Sequence, residues 1–149
     1  MSIYRGLAEL PPFNPDLDGD SAPEAVTRFR ATLEASDAVL ISSPEYAHGV
    51  PGVVKNALDW VVGSGELVDK PVALINASPR ATRAQASLTE TLAVMSAGIV
   101  PEASIAVPLQ GRTLDANGIA ADAELSTTLK RAVEALAAVA HAGCSSRRG

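Results

Sequence analysis

Residues suited to ligand binding or catalysis cluster between Ser42 and Gly52, where the sequence reads Ser-Ser-Pro-Glu-Tyr-Ala-His-Gly-Val-Pro-Gly. The apolar run 38–41 leads into this segment, and a helical pattern over 53–62 leads out of it. A strand, a polar loop and a helix start in this order form the ligand crevice of open α/β sheets, at the carboxyl ends of the strands. We therefore predict that the segment is a ligand-binding loop.

A second loop of the same kind is predicted at 76–81, which contains Ser78, Pro79 and Arg80. An apolar strand pattern at 72–76 precedes it, and a helical pattern begins at 82. Right-handed crossovers place the strand-to-helix loops of a parallel sheet on one edge. The two loops are therefore expected to be neighbours in space. Ser78 and Arg80 suit a phosphate ligand, although an exposed loop arginine is more commonly only solvated.

A hydrolytic triad of Ser43, His48 and Asp59 is an alternative chemistry for the first loop. The sequence lacks the Gly-x-Ser-x-Gly elbow that exposes a serine nucleophile. It also lacks the Gly-Lys-Ser/Thr phosphate loop and the Gly-x-Gly-x-x-Gly nucleotide motif. Because a loop histidine is more often structural than catalytic, no catalytic residue is assigned.

Composition limits the classes of function. The 149 residues suit one domain, with 47% apolar and 19% charged residues. A net charge of -5 disfavours nucleic acid and anionic membranes as partners. The single cysteine, Cys144, excludes an internal disulfide and a cysteine-based metal site, so we expect a cytoplasmic protein. The acidic run 16–20 departs from the calcium-loop pattern, and no metal site is predicted.

Hydrophobic periodicity predicts alternating strands and helices, which is typical of a parallel sheet with helices on both faces. The predicted strands are 37–42, 72–76 and 104–107, with a brief edge strand at 3–4. Four helices are predicted, at 21–33, 51–62, 82–97 and 119–142. Ser21 is the expected cap of the first helix, whereas Gly98 and Gly143 are the expected ends of the third and fourth. Asn117-Gly118 is expected in a turn, and 144–149 in a disordered tail.

Two motifs carry a resemblance to a known family. Pro-Glu-Tyr at 44–46 is followed by Pro-Gly-x-x-Lys-Asn-Ala-x-Asp-Trp at 51–60. With the segment 6–14, which contains Leu-Pro-Pro-Phe-Asn, and with Lys70-Pro71, this pattern resembles the NADPH-dependent FMN reductase family. The resemblance implies a flavodoxin-like three-layer α/β/α fold with a parallel sheet. It covers nearly the whole chain, which we treat as a single domain, 1–149.

The resemblance also implies a cofactor site. FMN would lie against the first loop, with ring contacts from Pro44, Glu45, Tyr46, His48 and Gly49, and Ser43 is a further cofactor-binding candidate. The second loop, with Ser78, Pro79 and Arg80, would close the other side, although Arg80, Ala81 and Thr82 stand where relatives often have glycine. The resemblance further implies that NADPH or NADH is the co-substrate. The electron acceptor would be a flavin, a quinone or another small molecule, and the protein would form a homodimer or homotetramer.

The start of the chain departs from the family pattern. Family members begin with a strand, a phosphate-binding loop and a helix, and this sequence contains no counterpart of these elements. We therefore expect an N-terminally truncated domain in which the first strand and helix are missing. A fragment with an upstream start is the favoured explanation. A partner chain that fills the gap and a diverged protein without FMN are the alternatives. The second hypothesis for function is accordingly a non-catalytic flavodoxin-like remnant or interaction module.

Overall fold

The computed structural model of the chain describes residues 1–78, 80–109 and 111–146. Strands and helices alternate along most of this length, as the sequence predicts. The helices are α1 (Glu24–Glu34), α2 (Gly52–Val62), α3 (Thr82–Val94), α4 (Ala116–Ala121) and α5 (Ala123–Ser146). The strands are β1 (Val39–Ser42), β2 (Pro71–Asn76), β3 (Gly98–Ile99) and β4 (Ile105–Ala106).

All pairings of the sheet are parallel, and β2 lies at its centre. β1 pairs with β2 over four residues, from Val39 opposite Val72 to Ser42 opposite Ile75. On its other side β2 pairs first with β3 and then with β4. A 3-10 turn at Pro101–Ala103 separates β3 from β4. The carboxyl ends of β1 and β2 therefore lie side by side, and both candidate loops begin there.

The sheet is the middle of three layers, which confirms the predicted fold class. Alternate residues of β2 point to opposite faces, and all six are buried. Val72 and Leu74 pack in a core with α1, α2 and α3, whereas Ala73 and Ile75 pack against α5 on the opposite face. Burial on both faces explains why this strand is apolar without alternation.

The front of the chain packs on α1 without joining the sheet. The Tyr4 ring lies 5.1 Å from the Phe29 ring, and no strand forms at residues 3–4, where an edge strand is predicted. Within the described residues β1 has one partner, β2, and Val39, Leu40 and Ile41 are half-buried. The expected truncation stays a prediction.

Two helix-end predictions are wrong. The residue before α1 is Pro23, which makes no side-chain cap, and the predicted cap Ser21 ends a separate 3-10 turn. The third helix ends at Val94 rather than near Gly98, because Ser96 takes a left-handed conformation with φ 58°. Gly98 instead begins β3, and its N–H donates to the carbonyl oxygen of Lys70.

The helix predicted at 119–142 is two helices. Asp122 interrupts it, and its carboxylate accepts the backbone N–H groups of Glu124 and Leu125 at the start of α5. The predicted turn at Asn117-Gly118 lies inside α4, which Asp115 caps through the N–H of Gly118. The predicted end at Gly143 is also wrong, since α5 continues to Ser146. The interior of the long helical segment agrees with prediction, with Leu125, Leu136 and Ala140 buried.

No helix in the described ranges is long and apolar enough to cross a membrane.

Candidate functional site

The loop after β1 forms a small hairpin. Tyr46 and Gly49 exchange two backbone hydrogen bonds, at 3.1 Å and 2.9 Å. The two residues between them, Ala47 and His48, both have positive φ, 49° and 61°. This is the geometry of a type I′ turn, which usually contains Asn-Gly. The hairpin tip is exposed, and 67% of Tyr46 is accessible to solvent.

Glu45 connects this hairpin to the start of α3. Its carboxylate accepts the backbone N–H of Ala84 at 2.8 Å, across 39 residues of sequence. Its other oxygen lies 3.3 Å from Nδ1 of His48. The bond from Ala84 holds the pKa of Glu45 below its ordinary value, burial acts in the opposite direction, and His48 and the backbone of Arg83 lower it further. Only 11% of the Glu45 side chain is exposed, and the hydrogen bonds that it accepts outweigh this burial and favour the ionised carboxylate.

The loop after β2 is organised by Asn76. This side chain is buried and donates to the carbonyl oxygen of Ala81 at 3.1 Å, while its own oxygen accepts the N–H of Ser78 at 3.0 Å. The backbone N–H of Arg80 lies 3.4 Å from the Ser78 hydroxyl. Pro79, the remaining candidate in this loop, lies outside the described residues. The loop is thus fixed from within, directly before α3 begins at Thr82.

The two loops are neighbours, as the topology predicts, because Glu45 of the first binds the helix that follows the second. Pro44 and His48 are exposed, and Ser43 and Gly49 are half-buried. The hydroxyl of Ser43 lies 3.2 Å from the carbonyl oxygen of Pro44. The contact of Glu45 with Ala84 thus brings the first loop to the start of α3, and Ser78 and Arg80 lie on the loop that leads into this helix.

The alternative triad is not assembled. His48 contacts Glu45, and Asp59 pairs with Lys55 one helical turn away on α2, as expected for a solvated helix face. The Ser43 hydroxyl is directed to a backbone carbonyl. Within the described residues no group of three acidic, histidine or cysteine side chains is arranged to hold a metal ion.

Sequence reasoning missed two side chains of α2 that bind the proline-rich segment. Asn56 accepts the N–H of Phe13 at 2.8 Å and donates to the carbonyl oxygen of Pro11 at 2.9 Å, and the indole of buried Trp60 donates to the same oxygen. These bonds anchor the proline-rich segment to α2. The signal was the Lys-Asn-Ala-x-Asp-Trp spacing, which places Asn56 and Trp60 on one helix face. Trp60 is fully buried.

Comparison with known proteins gives three matches of interest. PA1204, a NAD(P)H-dependent FMN reductase of Pseudomonas aeruginosa, is 31% identical over 91% of this chain and 77% of its own. A quinone reductase of Pseudomonas putida is 40% identical over 50% of this chain and 42% of its own. The structure of FerB, a flavoenzyme NAD(P)H:(acceptor) oxidoreductase from Paracoccus denitrificans, superposes with a TM-score of 0.77 at 33% identity, over 91% of this chain and 77% of FerB.

The chain spans less than half of the length of several curated relatives that it matches. The sequence profile described as NADPH-dependent FMN reductase nevertheless matches residues 3–111, which include both candidate loops and the anchored proline-rich segment. With its flavodoxin-like architecture and these matches, the chain belongs to the NADPH-dependent FMN reductase family.

Proposed function

We propose that this protein is a NAD(P)H-dependent oxidoreductase that binds FMN at the loops after β1 and β2. The observation that carries the proposal is the hairpin at 45–49, which Glu45 holds beside the second loop. PA1204 and FerB, which match most of the chain, are named as an FMN reductase and a flavoenzyme. The first-loop and second-loop candidates are proposed as ring contacts through their backbone and exposed side chains.

The chemistry of the hairpin fits a flavin ring. An isoalloxazine needs hydrogen-bonding groups along its polar edge and a flat or apolar wall against its face. The N–H groups of Ala47 and His48 donate to no backbone oxygen within the described residues, so they remain available to a ligand. Tyr46, beside them, exposes a large aromatic surface. The donors and the wall that the ring needs are therefore next to each other.

The start of α3 is less suited to the phosphate of FMN. Helix N-termini bind anions through their unpaired N–H groups. Here the Glu45 carboxylate already accepts the N–H of Ala84, and its negative charge would repel a second anion. We infer that the phosphate is bound away from this helix end, and that Ser78 and Arg80 act at the ring or on NAD(P)H.

Bound FMN would supply the redox chemistry, by accepting a hydride from NAD(P)H and passing the electrons to an acceptor. The protein's residues then bind and orient the reactants. With a quinone as acceptor, the hydride and one proton from solvent yield a hydroquinone and NAD(P)+. A quinone is the acceptor class that we propose to test first, because a related Pseudomonas putida enzyme is named a quinone reductase. The same experiment, run with NADH and with NADPH, shows which of the two is preferred.

We also infer a homodimer, with the face between α2 and α3 as its interface. This face contains a groove of about 270 Å³. Val62 and Val94 at the groove are 53% and 73% exposed, which is costly for apolar side chains in water. Lys55 and Glu90 also line it, so a second copy related by a two-fold axis would meet charges of both signs.

A cytoplasmic location is proposed on the single cysteine of the chain.

An FMN titration followed by flavin fluorescence tests the function. We expect saturable quenching by the 149-residue chain, or by a version extended upstream if the expected truncation is real. NAD(P)H oxidation that depends on both FMN and a quinone would establish the activity. Absence of quenching by either version would favour the non-catalytic interaction module.

A further inference from the structure

Helix α3 has no cap of its own. Ala81 stands at the residue before the helix and provides no side-chain hydrogen bond to the first turn. The first N–H groups of an α-helix lack partners within the helix and need an acceptor. Glu45 supplies one from the other loop, with its carboxylate oxygen 2.8 Å from the N–H of Ala84. A distant residue thus does the work that a serine or aspartate usually does locally.

The hairpin that contains Glu45 is strained. Left-handed backbone is unfavourable for residues other than glycine, because their Cβ crowds the following carbonyl oxygen. Ala47 and His48 both adopt it, although neither is glycine. Such conformations persist when surrounding contacts over-determine them. The contacts here are the paired bonds of Tyr46 and Gly49 and the bonds that Glu45 makes to α3 and to His48.

We propose that Glu45 is a positioning residue, whose carboxylate joins the two cofactor loops so that the hairpin presents Tyr46 and its free N–H groups in a fixed place. This assignment rests on the proposed function. It also changes the role that the family resemblance implies for the side chain. The carboxylate is directed to α3 and is largely buried, so it acts on the flavin through the hairpin.

Glu45 lies at the base of the hairpin, so its contact with Ala84 fixes the place from which the turn extends. Tyr46 is the next residue along the chain, and its backbone begins the paired hydrogen bonds of the turn. Any rotation of the hairpin must therefore move Glu45 away from Ala84. Ordering the loop before the ligand arrives lowers the entropy cost of binding. The expected consequence of losing the carboxylate is weaker FMN binding with the helices intact.

The test compares Glu45→Ala and Glu45→Gln with the control Glu34→Ala, which removes an exposed glutamate from α1, away from both candidate loops and from the proposed interface. For each, FMN affinity is measured by fluorescence, the melting temperature without FMN by circular dichroism, and exchange of the Ala84 amide by NMR. We expect Glu45→Ala to weaken FMN binding by about tenfold or more and to accelerate Ala84 exchange. The variant should stay folded but melt below Glu34→Ala, because α3 loses its cap. Glu45→Gln keeps an acceptor oxygen and should be intermediate.

Two results would overturn the proposal. FMN affinity in Glu45→Ala equal to that in Glu34→Ala would contradict the positioning role, and unchanged exchange at Ala84 would contradict the contact itself. If Glu45→Ala does not fold, the FMN affinity of Glu45→Gln is compared with that of the control instead. If the unmutated chain binds no FMN, the proposed function fails and the role toward flavin fails with it, whereas Ala84 exchange still shows whether Glu45 fixes the loop.

Discussion

The indole N–H of Trp60 donates to the carbonyl oxygen of Pro11 at 2.8 Å, although 49 residues separate them in sequence. Asn56, one helical turn earlier on α2, binds the same oxygen and also accepts the N–H of Phe13. The Phe13 ring meets the indole edge-on, with 5.0 Å between centroids. A segment with too many prolines for a strand or helix is thus held by two side chains of the family's α2 motif.

Replacement of Asn56 by alanine should destabilise the protein. The change leaves the N–H of Phe13 without its acceptor and removes one of two donors to Pro11, in a half-buried place. We expect a loss of ~2 kcal/mol in the free energy of unfolding, from two hydrogen bonds. Urea denaturation measures it, with Asn117→Ala on exposed α4 as the control. A loss no greater than that of the control would show that the segment is held by packing alone.

The central elements of the fold are predictable because their patterns are local. The apolar run of β2 and the spacing of Val26, Phe29 and Leu33 on α1 correspond to the observed core. β3 is not predictable in this way, since it has two residues and forms through its pairing with β2. The division between α4 and α5 had a signal in Asp122, an aspartate that accepts N–H groups at a helix start.

Ala47→Gly should stabilise the protein. Ala47 has φ 49°, where glycine avoids a steric cost of roughly 1–2 kcal/mol but loses more chain entropy on folding. The balance is an expected gain of about 0.5 kcal/mol in unfolding free energy. The matched control is Ala138→Gly on the exposed side of α5, where the same exchange should cost about 0.5–1 kcal/mol. Equal losses in both variants would show that the turn is not left-handed in solution.

The site is predictable only in part. The position of both loops follows from the order of strands and helices, and their proximity follows from crossover handedness. The type I′ turn could not be predicted, because Ala-His lacks the asparagine and glycine that signal it. The bond from Ala84 to Glu45 spans 39 residues, and no local pattern encodes it. The loops of the candidate site are thus easier to predict than the contacts that hold them.

Tyr46→Ala should weaken FMN binding with little change in the melting temperature measured without FMN. The ring is 67% exposed, so its removal costs the folded protein little packing. It would, however, remove the proposed aromatic wall against the flavin, and loss of a stacking partner costs about 1–3 kcal/mol, or roughly five- to 150-fold in affinity. Val139→Ala, an exposed side chain on α5 at the opposite face of the sheet, is the control. Unchanged affinity would remove Tyr46 from the site.

Val94→Glu should disrupt the proposed dimer. Val94 is 73% exposed on α3, and a buried unpaired charge at an interface is strongly unfavourable. Sedimentation velocity at several concentrations should show a dimer for the unmutated chain and a monomer for the variant. Val139→Glu on α5 introduces the same charge outside the proposed face and should leave the dimer intact. If Val94→Glu sediments as the unmutated chain does, the α2–α3 face is not the interface.

Asp122→Asn should flatten the loss of stability in acid. The N–H of Leu125 and the guanidinium of Arg112, in this order, lower the pKa of Asp122 below its ordinary value of 3.8. A carboxylate with a lowered pKa stabilises the folded state fully above its unfolded pKa, and this contribution is lost as pH falls through the folded pKa. Asparagine keeps an oxygen for the N–H groups of α5 but has no charge to lose. Urea denaturation between about pH 7 and pH 2.5 should therefore show a steeper loss for the unmutated chain, with the two curves converging in acid. Glu45 and Asp18 titrate in both proteins and cancel in the difference. Curves that stay parallel across this range would mean that the Asp122 charge does not stabilise the start of α5.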